Sequence, residues 1–330
     1  MSEYKSVAGR RGILAAIVAG VCLGGGAAAQ ERYPARPIKI LVASEPGSAP
    51  DILARTVAVE LAPLLGVAVV IENRAGAAGT IGAAAVAAAP ADGYTLLMGG
   101  LANMVLAPLL SSARYDPVTG FAPIGMVAKA PVLLVASPAL GVGDLDQLRD
   151  KIRRRPDGQL SFSSPGVGGP QHLAGVLLQK SLGTTMLHVP YKSGGAAITA
   201  VASGQVDLGF VGVPVASSLI EAKKVVPIFI ASEGRSPILS QVPTAAEAGI
   251  GDFRLDNWSA LFGPAHLPEG VIRVLERALQ KVVGLPGIKD QFARIGADPT
   301  SSTSAELARW VSDETGRWRE VIAASGIKVQ

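Results

Sequence analysis

Glycines and small hydroxyl residues, rather than acids, bases or thiols, carry the chemistry this sequence offers. Glu72 to Gly82 reads ENRAGAAGTIG. An apolar strand-like run, Val67 to Ile71, enters it, and a helix-like run, Ile81 to Ala89, leaves it. A strand that ends in a glycine loop and opens a helix presents unpaired backbone N–H groups and the positive end of a helix dipole. That arrangement cradles a carboxylate or phosphate without any charged side chain. The loops 44–51 and 164–171, the second containing SPGVGGP, have the same strand–loop–helix setting. In parallel α/β sheets ligands sit beyond the carboxyl ends of strands, so loops from two lobes can face each other across a cleft.

Catalytic signatures do not accompany these loops. The three histidines, His172, His188 and His266, lack metal-ligand spacing such as HExxH. His172 opens a helix straight after a glycine loop and is placed to line a site or to cap the helix; His188 lies in a strand-like run and reads as structural. There is no GxSxG elbow. Gly76, Gly79 and Gly82 have the spacing GxxGxxG instead of GxGxxG, and no acid follows about 20 positions on at a strand end. The lysine of a phosphate-binding P-loop is missing too. No cofactor and no metal are expected.

Alternating elements must position the loops. Ile38 to Ala43 reads as a buried strand, and Asp51 as the N-cap of a helix with Leu53, Val57, Leu61, Leu64 and Leu65 on one face. Val67 to Ile71, a helix from Thr80 to Ala89, and a strand from Tyr94 to Met98 follow. Strand–helix alternation of this kind specifies a parallel sheet with right-handed crossovers. A second alternation begins near Ile124, with strands Ile124 to Val127 and Val132 to Ala136 flanking Pro131. It continues with a helix at 145–154, a strand at 160–163, a helix at 171–182, a strand at 186–189, a helix at 196–202 and a strand at 208–211. Val226 to Ser232 reads as a strand that leads the chain back to the first domain. Helices at 269–282, 288–295 and 304–324 complete the chain, the last with Trp310 and Trp318 on one face against the first domain.

At 330 residues and 49% hydrophobic content the chain can fill two domains of about 150 residues each. Its N-terminus reads as a secretory leader over residues 1–29. Lys5, Arg10 and Arg11 precede the apolar run Ile13 to Leu23, and Ala27 to Ala29 supply small residues for cleavage before Gln30. Arg10-Arg11 is a weak match to a twin-arginine signal. The single cysteine, Cys22, lies in that leader, so the mature chain has no disulfide or thiolate metal site. Mature residues number 27 basic against 25 acidic, a balance that gives no reason to expect nucleic acid.

Several segments resemble the extracytoplasmic solute-binding receptors of the tripartite tricarboxylate transporter system, the Bug (TctC-like) family. They are YPARPIKILVASEPGSAPDILAR (33–55), VVIENRAGAAGTIGAAAVAAAPADGYTLL (69–97), RYDPVTGFAPIGMVA (114–128), HVPYKSGGAAITAVASGQVDLGF (188–210) and VPTAAEAGI (242–250). The resemblance implies a type 2 periplasmic binding-protein fold, with two α/β lobes joined by crossing strands and a ligand trapped between them by hinge closure. Lobe 1 is expected over 30–128 and 234–330 and lobe 2 over 129–233. It further implies a monomeric, non-enzymatic periplasmic receptor that takes a small carboxylate and passes it to membrane permease subunits. Carried over, Gly47, Ser48, Ala78, Gly79 and Thr80 form the carboxylate end. Gly166, Val167, Gly168, Gly169, Tyr191 and Asp207 face it from the second lobe, and Asn103 offers a side-chain amide.

The chain departs from the family pattern in the first loop. Ser44 and Glu45 precede Pro46-Gly47-Ser48 where the family carries Phe and a small residue before PGG, and Pro50 takes a hydroxyl residue's place. Val211-Gly212 stands where a polar residue is common. Glu45 in the site would repel an anion, which points to a ligand that also carries a cation, such as an amino acid. Two other functions remain open from sequence: a ligand-presenting sensor without a transporter, and an enzyme working in the same cleft.

Overall fold

The computed structural model describes residues 33–154, 157–236, 238–251 and 253–325. The expected leader, 1–29, lies outside them. The first half is built as the sequence alternates. Strand β1 (Ile38–Val42) leads to helix α1 (Ala49–Leu65), β2 (Val69–Asn73), α2 (Thr80–Ala87) and β3 (Thr95–Gly100). β1 pairs in parallel with both β2 and β3. α1 buries Leu53, Val57 and Leu61 as its spacing predicts, with Ala54 and Ala58 beside them, while Leu64 stays exposed. Asp51 is not the N-cap. Ser48 holds that position, and Asp51 sits in the first turn.

Gly82 shows why α2 comes so close to β1. A Cβ there would lie 2.8 Å from both the Arg74 carbonyl and the Ala43 Cβ. Only a residue without a side chain lets the start of this helix lie on the strand end.

Three features escape the sequence pattern. The segments expected on either side of Pro131 form one long strand, β4 (Phe121–Ala136). Its ladder slips in register near Pro123 and again between Met126 and Ala128, and such irregularities let a strand carry prolines that cannot donate. β9 (Asp256–Pro264) was not anticipated, yet it pairs antiparallel with both β3 and β4 at the centre of the sheet. A π-helical turn, Ala102–Leu106, runs into a short helix, α3 (Ala107–Leu110), and Asn103 to Ala107 are buried.

β4 belongs to two sheets. Residues 121–131 pair with β9, and residues 132–136 pair with β7 (Leu208–Gly212) and β8 (Val226–Ile230). Between them the chain forms α4 (Leu145–Arg153), β5 (Leu160–Ser164), α5 (Pro170–Leu182), β6 (Met186–Pro190), α6 (Gly194–Ala202) and α7 (Val213–Glu221). β5 pairs in parallel with β6 and β7. β8 does not lead back to the first half, because it stays antiparallel to β4 in the second sheet. The segment after it also stays there. Ile230 bridges Thr244, and Arg149 donates to the Gly249 carbonyl at 2.7 Å. The return crossing comes at Asp256, beyond the boundary expected at residue 233.

Helices α8 (Glu269–Val283) and α9 (Pro286–Arg294), the two-residue strand β10 (Asp298–Pro299) and helix α10 (Ser304–Ser325) close the fold. Trp318 is fully buried in a core that includes Leu41 and Ala83 of the first half and Phe162 and Leu173 of the second. α10 thus packs on both halves and not on the first alone. Trp310 carries Lys129 over its ring at 3.7 Å.

Asp256 sits at the return crossing. Burial pushes its carboxyl up to about 6, opposed by Lys129 and reinforced by Glu233, Glu314 and Asp298. The folded chain holds the extra proton between the unfolded value of 3.8 and about 6, so stability rises as pH falls through that window. Asp256→Asn is expected to raise stability at pH 7 by up to about 3 kcal/mol and to abolish the rise, read by urea unfolding at pH 7 and pH 4.5. Gly82→Ala would gain about 1 kcal/mol of helix propensity. The clash with two fixed neighbours outweighs it at about 1–3 kcal/mol, so the urea midpoint is expected to fall.

Candidate functional site

The carboxyl ends of β1, β3, β5 and β7 and the two crossing strands enclose a cavity of about 610 Å³. Its wall takes Ser44 and Ala49 from the first loop and Ala78 from the second. Gly99 to Asn103 come from the end of β3, Pro165 and Gln171 from the loop after β5, and Val211, Gly212 and Val215 from the end of β7. Ala130 of β4 and Asn257 to Ser259 of β9 form the crossing. A second cavity of about 530 Å³ shares Ala78, Ala102, Pro165, Pro170 and Gln171 with the first and extends along Gly166 to Gly169.

A buried carboxylate sets the first two loops. Asp51 accepts the Gly47 N–H (2.9 Å), Arg55 Nε (3.0 Å) and Asn73 Nδ2 (2.9 Å). Asn73 also donates to the Ser44 carbonyl (3.2 Å) and accepts from Arg55 Nη2 (2.9 Å). Burial works against the ionised Asp51, but the hydrogen bonds from Arg55, Gly47 and Asn73 outweigh it and hold its pKa below the ordinary value. The network ties the loop after β1 to the end of β2. Ser44 and Ser48 share a hydroxyl contact of 2.7 Å across the same loop.

The second loop is tightly wound. Gly79, at φ +88°, would place a Cβ 2.8 Å from the Ala43 carbonyl. Ala77 and Ala78 both take left-handed conformations, with φ of 46° and 54°. For non-glycine residues this costs about 1–3 kcal/mol each and concentrates at functional sites. Asn103 is buried against this loop, and its Oδ1 accepts the Gly100 N–H at 2.8 Å. That bond fixes which end of the amide is oxygen and leaves the NH2 end as the donor.

The structure brings only part of the expected set to the main cavity. Ser44, Ala78 and Asn103 line it. Gly47, Ser48, Gly79 and Thr80 flank it with their polar groups engaged: Gly47 N–H on Asp51, Ser48 N–H on the Glu45 carbonyl, Gly79 N–H on the Gly76 carbonyl, and Thr80 Oγ1 on the Ala77 carbonyl. Gly166, Val167, Gly168 and Gly169 line the adjoining cavity. Tyr191 lines neither; its N–H donates to the Ser164 carbonyl and its ring packs with the second-half core. Asp207 lies at the opposite end of the parallel strands, where it accepts the N–H and hydroxyl of Ser161, each at 2.9 Å. Glu45 is exposed and outside the lining, beside Ser44, which lines it.

Sequence reasoning missed the crossing strand and the far wall. Trp258, Asn257 and Ser259 were invisible without β9, although the run WSALF before Gly263-Pro264 was a strand signal. Arg294, exposed at the end of α9, is the one charged residue among the described lining residues. Only packing of α9 against α1 puts it there.

A stacked pair of imidazoles backs the second-half loop. His172 and His188 lie 4.0 Å apart, ring to ring, and His188 stacks on Phe162. His172 Nδ1 accepts the Gly168 N–H at 3.0 Å, and His188 Nε2 sits 2.7 Å from Ser164 Oγ. Ser164 is completely buried, so this serine–histidine pair clamps the loop and is closed to ligand. Burial, and secondarily His172, pushes His188 down to about 4; burial lowers His172 as well. As pH falls, the unfolded chain takes up protons first, near 6.5, so stability from the pair is complete above that value and lost towards pH 4. An NMR titration is expected to show the His188 imidazole with a midpoint near 4.

The profile described as "Tripartite tricarboxylate transporter family receptor" matches residues 53–327. It describes receptors that bind solutes, not enzymes. Protein BugT of Bordetella pertussis is 32% identical over 302 residues, covering 91% of this chain and 92% of that protein. Rpa4515 of R. palustris, solved with adipate, superposes with a TM-score of 0.76 at 31% identity, covering 90% of this chain and 99% of that one. MatC (Rpa3494) from Rhodopseudomonas palustris, solved with bound malate, gives 0.73 at 30% identity, with 88% and 100% covered. The fold is therefore the expected one, that of the periplasmic solute-binding proteins.

Proposed function

Because the chain belongs to the tripartite tricarboxylate transporter receptor family, we propose that it captures a small carboxylate in the cleft between its two halves. It then delivers that ligand to the membrane subunits of a tripartite transporter. The observation that carries this reading is the composition of the cavity wall. Among its described lining residues there is one cation, Arg294, and no carboxylate, with the Asn103 amide at the deep end beside the start of α2. An anion entering there meets attraction and donors without like charge. The relatives solved with adipate and malate support the same ligand chemistry.

The receptor works as a monomer outside the cytoplasmic membrane after removal of residues 1–29. Among the described residues no helix is long and apolar enough to cross a membrane. Closure rotates the two halves about the crossings near Pro131 and Asp256, where the chain changes sheets. Bound ligand stabilises by mass action, by about 2.7 kcal/mol at a hundredfold excess over Kd. A thermal-shift screen of mono-, di- and tricarboxylates against their uncharged amides is expected to find stabilisation by an acid and none by its amide. Arg294→Gln is expected to weaken that acid about tenfold, the loss of a charge-assisted contact. Equal binding of acid and amide would sink the carboxylate reading.

A further inference from the structure

Resting on the carboxylate reading, we infer that the ligand carries a single carboxylate on a hydrocarbon body, so that this receptor discriminates against short di- and tricarboxylates. Three observations bear on the main cavity and the loops around it. The first is charge. Arg294, at the exposed edge, is the one charged residue among the described lining residues, so a second carboxylate finds no second cation.

The second is the state of the backbone donors. Loops rich in glycine suggest several anion cradles, but the structure turns many of those N–H groups inward. In the second half, Gly166 donates to Ser164 Oγ (3.3 Å) and Gly168 to His172 Nδ1 (3.0 Å). In the first half, Gly47 donates to Asp51 and Gly79 to the Gly76 carbonyl. A second carboxylate pressed against the second-half loop would lose its water without these N–H groups in return, and an ionised group so placed is strongly disfavoured.

The third is the wall itself. Ile52, Leu53, Met98, Val211, Val215 and Ile295 give the cavity an apolar lining from both halves. Its volume of about 610 Å³ lies in the range of pockets that enclose ligands well beyond a four-carbon diacid. Apolar surface of this kind stabilises a hydrocarbon chain or ring and does nothing for a hydroxylated polyacid.

Hexanoate and adipate make the decisive comparison, because they have the same carbon chain and differ by one carboxylate. Titration calorimetry on the mature chain is expected to give hexanoate at least tenfold tighter than adipate. From butanoate to hexanoate, affinity is expected to rise about fourfold per buried methylene. Val215→Arg, which adds a cation to the wall from the second half, is expected to narrow the gap between the two acids about tenfold or more. Adipate or malate binding more tightly than hexanoate would overturn the single-carboxylate inference and leave the carboxylate receptor intact. Hexanamide binding as well as hexanoate would overturn the carboxylate reading itself, and no binding by any of these acids would overturn both.

Discussion

One strand makes the molecule. β4 is hydrogen-bonded to β9 over its first part and to β7 and β8 over its second. The halves are therefore not beads on a linker; they share a continuous backbone ladder. Where that ladder changes partners, at residues 131–132, the two sheets splay and their strand ends face one another. The cavity floor, Ala130 with Asn257 to Ser259, is this change of partner seen from the ligand's side. Prolines at 123 and 131 mark positions where β4 gives up donors; a register shift follows the first, and the second sits where the strand changes partners.

Packing limits what this ladder can do. α10 spans the crossing and buries Trp318 in a core that draws on both halves. A rotation between halves must keep that helix seated on one of them and slide it against the other. The crossing also holds Asp256 among Lys129, Glu233 and Glu314, with its carboxyl lifted towards neutrality. Asp51 is another buried carboxylate, held behind the first loop, whereas the cavity wall itself carries only Arg294 among its described residues.

The loops around the cavity owe their shapes to internal polar contacts more than to glycine flexibility. Asp51, Arg55 and Asn73 clamp the first two loops, and the His172–His188 stack clamps the loop after β5. Each clamp uses backbone N–H groups that a ligand would otherwise meet. Preorganisation of this kind cuts the ordering cost of binding, but it also reduces the number of donors left for an anion. The surface that remains is mostly apolar, with a guanidinium at one edge.

Much of the fold was legible in residue patterns. The alternation from Ile38 to Met98, the helices after the glycine loops and the C-terminal helices all follow from local periodicity and turn chemistry, because those signals act within a few residues. β9 was not legible. Its partners, β3 and β4, are more than a hundred residues away in sequence, and a short apolar run says nothing about which strands it will join. The candidate site divided in the same way. Ser44 and Asn103, just past strand ends, and Ala78, carried over from the family resemblance, do line the cavity. Arg294 and Trp258 were missed because their place at the cavity depends on how α9 and β9 dock. Asp207 and Glu45 were placed in the site by pattern, but one lies at the wrong end of its strand and the other points to solvent. The sequence by itself determined most of the alternating elements, the places of the glycine loops and the family. Which loop N–H groups are engaged, which charged residue lines the cavity and where the chain crosses between halves were decided only by tertiary structure, because each depends on contacts between residues far apart in the chain.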